Sequence, residues 1–223
     1  MLELHSNYTP DGLTSTDDGT LASNHAVHET IEVTHGFTSW FEVGAYLFTS
    51  VQGGQGLAWV GDHIRPRIRV PESWKWPVGV SLSTEVGYAR SLYAADQWSW
   101  EIRPIVDKQW GRFYWSVNPA LEIALSGPDK GQSPVFAPNV KVALDLTRVV
   151  TFGFEYYGSF GPLSGFLPAQ AQEQSIYPAI DLNLGADWEF NAGVGIGLTD
   201  ATDKTVLKII LGRRFGGKPA VGH

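Results

Sequence analysis

The sequence predicts an all-β fold: a transmembrane, antiparallel, up-and-down β-barrel of about twelve strands. Three observations predict it. Apolar and polar residues alternate with period two along most of the chain, the pattern of strands with one greasy and one polar face. No run approaches the ~18 consecutive apolar residues of a membrane helix, which a barrel permits because its strands carry apolar residues at alternate positions. The connections between strands are alternately short and long.

The alternation is clearest in four segments. Val78, Val80, Leu82, Thr84, Val86 and Tyr88 alternate with Ser81, Ser83, Glu85 and Gly87. Phe113, Trp115, Val117, Pro119, Leu121, Ile123 and Leu125 alternate with Tyr114, Ser116, Asn118, Ala120, Glu122 and Ala124. Phe136 to Leu144 and Trp188 to Leu198 repeat the pattern. Extended to the rest of the chain, it gives strands near 2–8, 24–34, 40–50, 57–70, 78–90, 98–107, 113–125, 135–145, 149–157, 175–184, 188–198 and 205–215. Most have the ~10 residues that a tilted strand needs to cross a bilayer. All belong to one barrel domain over 1–223, with 216–223 as a C-terminal tail.

Even-numbered links are mostly short: 35–38, 108–112, 146–148 and 185–187, with 71–77 as the exception. Odd-numbered links are longer and rich in Gly, Pro, Ser and Asp, as in 9–23, 52–56, 126–134 and 158–174. Short turns at one end and long loops at the other are the organisation of bacterial outer-membrane barrels. An even strand count then sets both termini on the short-turn, periplasmic side.

Alternation alone does not say which face is the core. A ring of about twelve strands encloses more space than side chains fill, since ~8 strands is the limit for a filled interior. An apolar lining would leave a void that packing does not tolerate. Turned outward, the apolar face meets lipid and the charges surround water; every backbone group pairs provided 2–8 pairs with 205–215. Leu207, Ile209, Leu211 and Phe215 share one parity in the last strand, and Trp74, Trp76, Trp110 and Trp188 lie on the short-turn side as an interfacial girdle would. The alternative is a soluble β-sandwich or lipocalin-like barrel with its faces reversed. Pro66, Pro104, Pro119, Pro138 and Pro178 all fall on the lipid-facing parity, where proline removes a ladder donor, and are expected to mark bulges or bends.

Composition narrows the chemistry. A formal net charge of −7 argues against a general attraction to nucleic-acid phosphate. With no cysteine, disulfides, thiol catalysis and Cys-ligated zinc are excluded. Met1-Leu2-Glu3-Leu4-His5 has neither the basic start nor the apolar core of a signal peptide, so the sequence reads as the mature part of an exported precursor or as a cytosolic protein; its direct opening into a strand suits the first.

Thr34-His35-Gly36-Phe37-Thr38-Ser39-Trp40-Phe41-Glu42-Val43-Gly44 and Thr147-Arg148-Val149-Val150-Thr151-Phe152-Gly153-Phe154-Glu155 share a pattern: a short turn, an aromatic, an inward Glu and a nearby Gly. On these segments the chain resembles the outer-membrane barrels grouped as transporters of the MetA phenol-degradation pathway. That resemblance implies an outer-membrane location and uptake of small organic compounds, and it supplies no catalytic residues. In size and strand count, without a shared motif, the chain is also similar to the small monomeric porins for acidic sugars.

On the inward parity the strands present His28, Glu32, Glu42, Arg65, Arg67, Arg69, Glu85 and Glu101. They continue with Arg103, Glu122, Lys141, Asp145, Glu155, Asp181, Glu189 and Lys208. All but Glu32, Asp145 and Glu189 are the candidate pore-lining residues. Arg65, Arg67 and Arg69 form a basic stripe, with Glu85 and Glu101 at comparable depth on the next two strands. Left unpaired, the stripe would favour anionic solutes, because guanidinium binds carboxylate and phosphate bidentately. Opposed charges would set a transverse field across a hydrated pore; paired across neighbouring strands, they would instead partly close the lumen.

Enzymatic signals are weaker. His5, His25, His28, His35 and His63 are scattered and none neighbours a Ser in a recognisable arrangement. His25 and His28 have opposite parity and cannot ligate one metal from a regular strand, so no metal or cofactor is expected. Gly193-Val194-Gly195-Ile196-Gly197 echoes a nucleotide loop, but inward glycines on a strand explain it. The 158–174 loop, with Phe160, Leu163, Phe166 and Leu167, is unusually apolar and is the candidate gate or landing site for aromatic compounds; packing against neighbouring loops or a partner is the alternative. The sequence therefore points to a passive outer-membrane channel for small molecules, anionic or aromatic, with lipid as its surroundings. A closed structural barrel and a membrane-embedded hydrolase are the alternatives.

Overall fold

The computed structural model describes residues 1–215; the expected tail at 216–223 lies outside the described residues. Twelve strands follow in chain order: β1 (Leu2–Asp11), β2 (Val27–Gly36), β3 (Phe41–Val51), β4 (Leu57–Arg69), β5 (Gly79–Ala89) and β6 (Trp98–Trp110). They continue as β7 (Phe113–Ala124), β8 (Val135–Asp145), β9 (Val150–Ser159), β10 (Glu173–Asn183), β11 (Trp188–Gly197) and β12 (Thr205–Arg213). Each pairs antiparallel with its chain neighbours, and β1 closes on β12 from Leu2↔Arg213 to Tyr8↔Leu207, so no sheet edge remains. This is the up-and-down transmembrane barrel architecture.

Turn chemistry follows the expected asymmetry. β6 and β7 are joined by two residues, Gly111 and Arg112, with Gly111 at φ 60°, the left-handed conformation that a tight hairpin needs. The long link 71–77 contains one turn of 3₁₀ helix, Glu72–Trp74, which projects Trp74 and Trp76 outward.

Burial decides the orientation of the faces. Among the described residues the fully buried apolar side chains are five alanines: Ala26, Ala120, Ala137, Ala143 and Ala179. The large apolar residues are exposed on the outside, including Leu47, Ile64, Leu82, Phe154 and Ile209, whereas Glu32, Ser83, Glu155, Asn191 and Lys208 are buried. That is the inverse of a soluble core and suits a hydrocarbon surround. Aromatics collect at both rims. Trp40, Trp74, Trp76, Trp110 and Trp188 stand at the short-turn rim, and Trp59, Tyr88 and Trp98 form a contiguous group at the long-loop rim, with ring centroids 5.9 and 5.4 Å apart.

The prolines mark breaks in the ladder. β4–β5 pairing is interrupted between Ile64 and Arg67, at Pro66. β6–β7 pairing lapses between Ile102 and Val106, where Pro104 meets Pro119. β8–β9 pairing begins just past Pro138, and β10–β11 pairing skips Pro178. All of these lie within hairpins closed at the short-turn rim, by a short turn in every case but the 71–77 link of β4–β5. An outward-facing residue there directs its N–H at its hairpin partner, and proline has none to give.

Candidate functional site: the barrel interior and its mouth

Because successive residues alternate faces, the register fixes which ones meet inside. On the β4–β7 wall two rows lie one above the other. Arg67, Ser83 and Arg103 are direct partners across β4, β5 and β6; one inward step closer to the long loops, Glu85, Glu101 and Glu122 are direct partners across β5, β6 and β7. A guanidinium row thus underlies a carboxylate row, separated by two residues of strand, or ~7 Å. Arg103 pairs with Glu101 at 2.5 Å and His63 with Glu85 at 2.6 Å, while Glu122 has no ion-pair partner among the described residues. The Nε atoms of Arg67 and Arg103 and the hydroxyl of Ser81 are buried without a hydrogen-bond partner.

Most of the β4 basic stripe is engaged. Arg65 donates to Glu32 at 2.6 Å, Arg67 lies 3.6 Å from Glu42, and Arg69 donates to the Ser39 carbonyl at 2.7 Å. Arg65 reaches from β4 to β2 over Gly44 of β3, where a Cβ would come within 3.3 Å of the guanidinium. The free stripe that would have favoured anions along its whole length is therefore reduced to the neighbourhood of Arg67.

The opposite wall is built on the same device. Gly153, Ala179, Gly193 and Lys208 are successive partners across β9, β10, β11 and β12. Over that flat floor Lys208 reaches Glu155, with its ammonium above the rings of Tyr157 and Tyr177, 5.8 and 5.4 Å from their centroids. Lys141 completes the group, 3.3 Å from Glu155 and 2.8 Å from Asp181, and Asn191 donates to Asp181 at 2.7 Å. Ion pairs that skip strands are favoured on the concave side of a closed ring, where side chains converge. A cavity of about 860 Å³ opens from this group toward the short turns, lined by Asp145, Glu155, Asp181, Glu189 and Lys208 and reaching Glu3 on β1. His28, also inward, lies nearer the long loops on β2 and makes no ion pair among the described residues.

The loop residues singled out from the sequence sit on the outer side. Phe160 continues the β8–β9 ladder opposite Phe136, whose parity is outward, and Phe166 stacks on the same ring at 6.1 Å. Leu167 folds back to donate to the Phe160 carbonyl, and Leu163 donates to that of Pro134. The segment that crosses the mouth is 12–26, between β1 and β2. The Leu13 amide and the Ser23 hydroxyl both donate to Asp203 of the β11–β12 loop, the former at 2.9 Å. Leu21 donates its amide to Leu92 of the β5–β6 loop at 2.9 Å, and Gln52 donates to the Leu21 carbonyl at 3.2 Å. Those two anchoring loops are diametrically opposed in the ring. The segment is a strap, and beneath Leu13, Thr16 and Leu21 it roofs a cavity of about 320 Å³ lined by Glu173 and Tyr177. Asp18 in the strap is held below the usual carboxylate range by the hydroxyl and amide of Thr20, which donate at 2.7 and 3.0 Å.

No family profile matches the chain, and no curated protein matches it in sequence. In structure it is similar to the KdgM porin, with a TM-score of 0.62 at 8% identity over 96% of this chain and 99% of that one. The likeness is one of fold. The NanC porin gives a TM-score of 0.62 at 9% identity over 96% of this chain and 100% of that one. The outer membrane channel COG4313 of Pseudomonas putida F1 gives 0.59 at 11% identity over 96% and 95%. All three are channels of matching length. The phenol-pathway resemblance of the two Glu-bearing segments receives no family match. Glu42 and Glu155 both face inward, but Glu42 is the second residue of its strand and Glu155 the sixth, so the shared pattern does not place them at equal depth.

Proposed function

We propose that this barrel resides in the bacterial outer membrane and passes small zwitterionic solutes, molecules carrying both a carboxylate and an ammonium group, by passive diffusion. The observation that carries the proposal is the pair of stacked rows. Arg67 and Arg103 flank a serine and, though each is ion-paired through one terminal nitrogen, present guanidinium charge to an oxyanion, and Glu85, Glu101 and Glu122 present acceptors to a cation one step nearer the mouth. A field running along the wall orients a dipolar solute, whereas a purely anionic one meets the carboxylate row first. Fold likeness to porins and an outer membrane channel supports transport over catalysis. A second structure of the KdgM porin that the fold resembles is in complex with disordered oligogalacturonate, so a charged solute is compatible with this architecture.

Swelling of liposomes containing the protein tests this. Amino acids should enter faster than neutral sugars and dicarboxylates of equal size, and Arg67→Gln with Arg103→Gln should abolish the difference. Equal rates for size-matched solutes, or no swelling with any solute, would overturn it.

A further inference from the structure

Glu3 and Glu32 stand directly opposite one another on β1 and β2, beside the seam where the ring closes. Like charges in that position destabilise a sheet unless a positive charge lies between them. Arg65 does not lie between them, because it engages Glu32 through Oε1, the oxygen that also accepts from Thr34 Oγ1, each at 2.6 Å. The other oxygen, Oε2, faces His5, whose Nε2 is 3.7 Å away. That nitrogen is buried and has no hydrogen-bond partner.

We propose that Glu3, His5 and Glu32 form a binding site for one divalent transition-metal ion, of which zinc is the type. One donor atom from each residue lies within 4.8 Å of the other two. Donors around a tetrahedral zinc ion stand ~3.3 Å apart, given bonds of ~2.0 Å, so a modest closing movement assembles the set. The partner of Glu3 on the other side is Gly212, where a Cβ would come within 3.2 Å of the Glu3 side chain. Two hydrogen bonds fix the orientation of Glu32, as supporting bonds to metal-binding carboxylates commonly do. Arg65 takes Oε1 of Glu32, Lys208 is paired with Glu155 and the N-terminal ammonium with the Thr34 carbonyl, so Oε2 of Glu32 and the Glu3 carboxylate are left for a cation, and the lumen supplies water for the fourth position. The bound ion would clip β1 to β2 next to the β1–β12 closure. This inference does not depend on the transport proposal.

The test is zinc titration of the folded barrel in detergent after EDTA washing, against a chromophoric chelator. One tight equivalent is expected, with a rise in melting temperature on loading. His5→Ala and Glu3→Gln should each weaken that equivalent at least ~10-fold and remove the thermal shift. Should His5→Ala fail to fold, judged by mobility on an unboiled gel, His5→Asn gives the same comparison in a side chain of similar size. Absence of a tight equivalent in the native protein overturns the proposal. So does a tight equivalent that the His5 and Glu3 variants leave unchanged, which would place the ion at other histidines.

Discussion

Lys208 of β12 ion-pairs with Glu155 of β9 across two intervening strands, over a floor of Gly193, Ala179 and Gly153. Both partners are nearly buried, so neither charge is easily left alone. Removing one member of a buried pair costs ~3 kcal/mol when the other charge is left wholly unpaired, but Lys141 stays 3.3 Å from Glu155, so the cost here is smaller, ~1–2 kcal/mol. Lys208→Met should therefore destabilise the barrel by about that amount in urea unfolding from detergent. Lys208→Met with Glu155→Gln should recover a good part of the loss. A single variant as stable as the native protein would show that the lumen is wet enough there to screen the pair.

The strap makes a different prediction. Asp203 accepts from the Leu13 amide and the Ser23 hydroxyl and so fixes one end of segment 12–26. Hydrogen bonds to a charged acceptor contribute ~1.5–3 kcal/mol each, so losing both shifts the strap toward its unseated state by tenfold or more. Asp203→Ala should raise single-channel conductance and its fluctuation, while Asp18→Ala, which removes bonds only within the strap, should not. Identical traces for Asp203→Ala and the native protein would mean that the strap does not restrict the path.

The fold was legible because one rule, outward apolar and inward polar, repeats in every strand. Twelve strands, the closure of β1 on β12, and the inward parity of Arg65, Glu101, Lys141 and Glu155 all follow from it. Which charges meet was not legible. Arg65 with Glu32, and Lys208 with Glu155, skip strands, and their meeting depends on Gly44, Gly193 and Ala179, small residues that alternation counts only as polar-face positions. Glu3, His5 and Tyr157 share the inward parity, but alternation alone does not show that Glu3 and His5 meet Glu32 or that Tyr157 meets Lys208. The apolar content of 158–174 drew attention away from 12–26, because side-chain hydropathy does not show which loop finds anchors on opposite sides of the mouth. Register does.

The orientation of the faces has its own test. Ile209 is outward and central in β12, one residue from inward Lys208. A lysine on the lipid face near the bilayer midplane costs ~2–4 kcal/mol. Ile209→Lys should thus impair folding into vesicles by that amount, whereas Thr151→Lys, inward on β9 between Asp145 and Asp181 and lining the lumen cavity, should be tolerated. The reverse ranking would mean that the apolar face is not in contact with lipid.

Pro178 offers a test of how the wall is held. β10–β11 pairing runs from Ser175↔Gly197 to Ile176↔Ile196, skips Pro178, and resumes at Ala179↔Gly193. Pro178→Ala restores a donor aimed at β11, and one ladder hydrogen bond contributes ~1 kcal/mol. The same change frees the unfolded chain and costs ~0.4–1 kcal/mol. The two effects nearly cancel, so global stability should barely move. Local opening should change instead, because the new bond forms only in the folded wall. Hydrogen exchange should slow at Val194 and Ile196, the β11 residues whose amides face the gap, and remain unchanged at Phe152 and Phe154 on the intact β9 side. Exchange that slows equally on both sides, or nowhere, would show that the interruption has a cause other than the missing N–H.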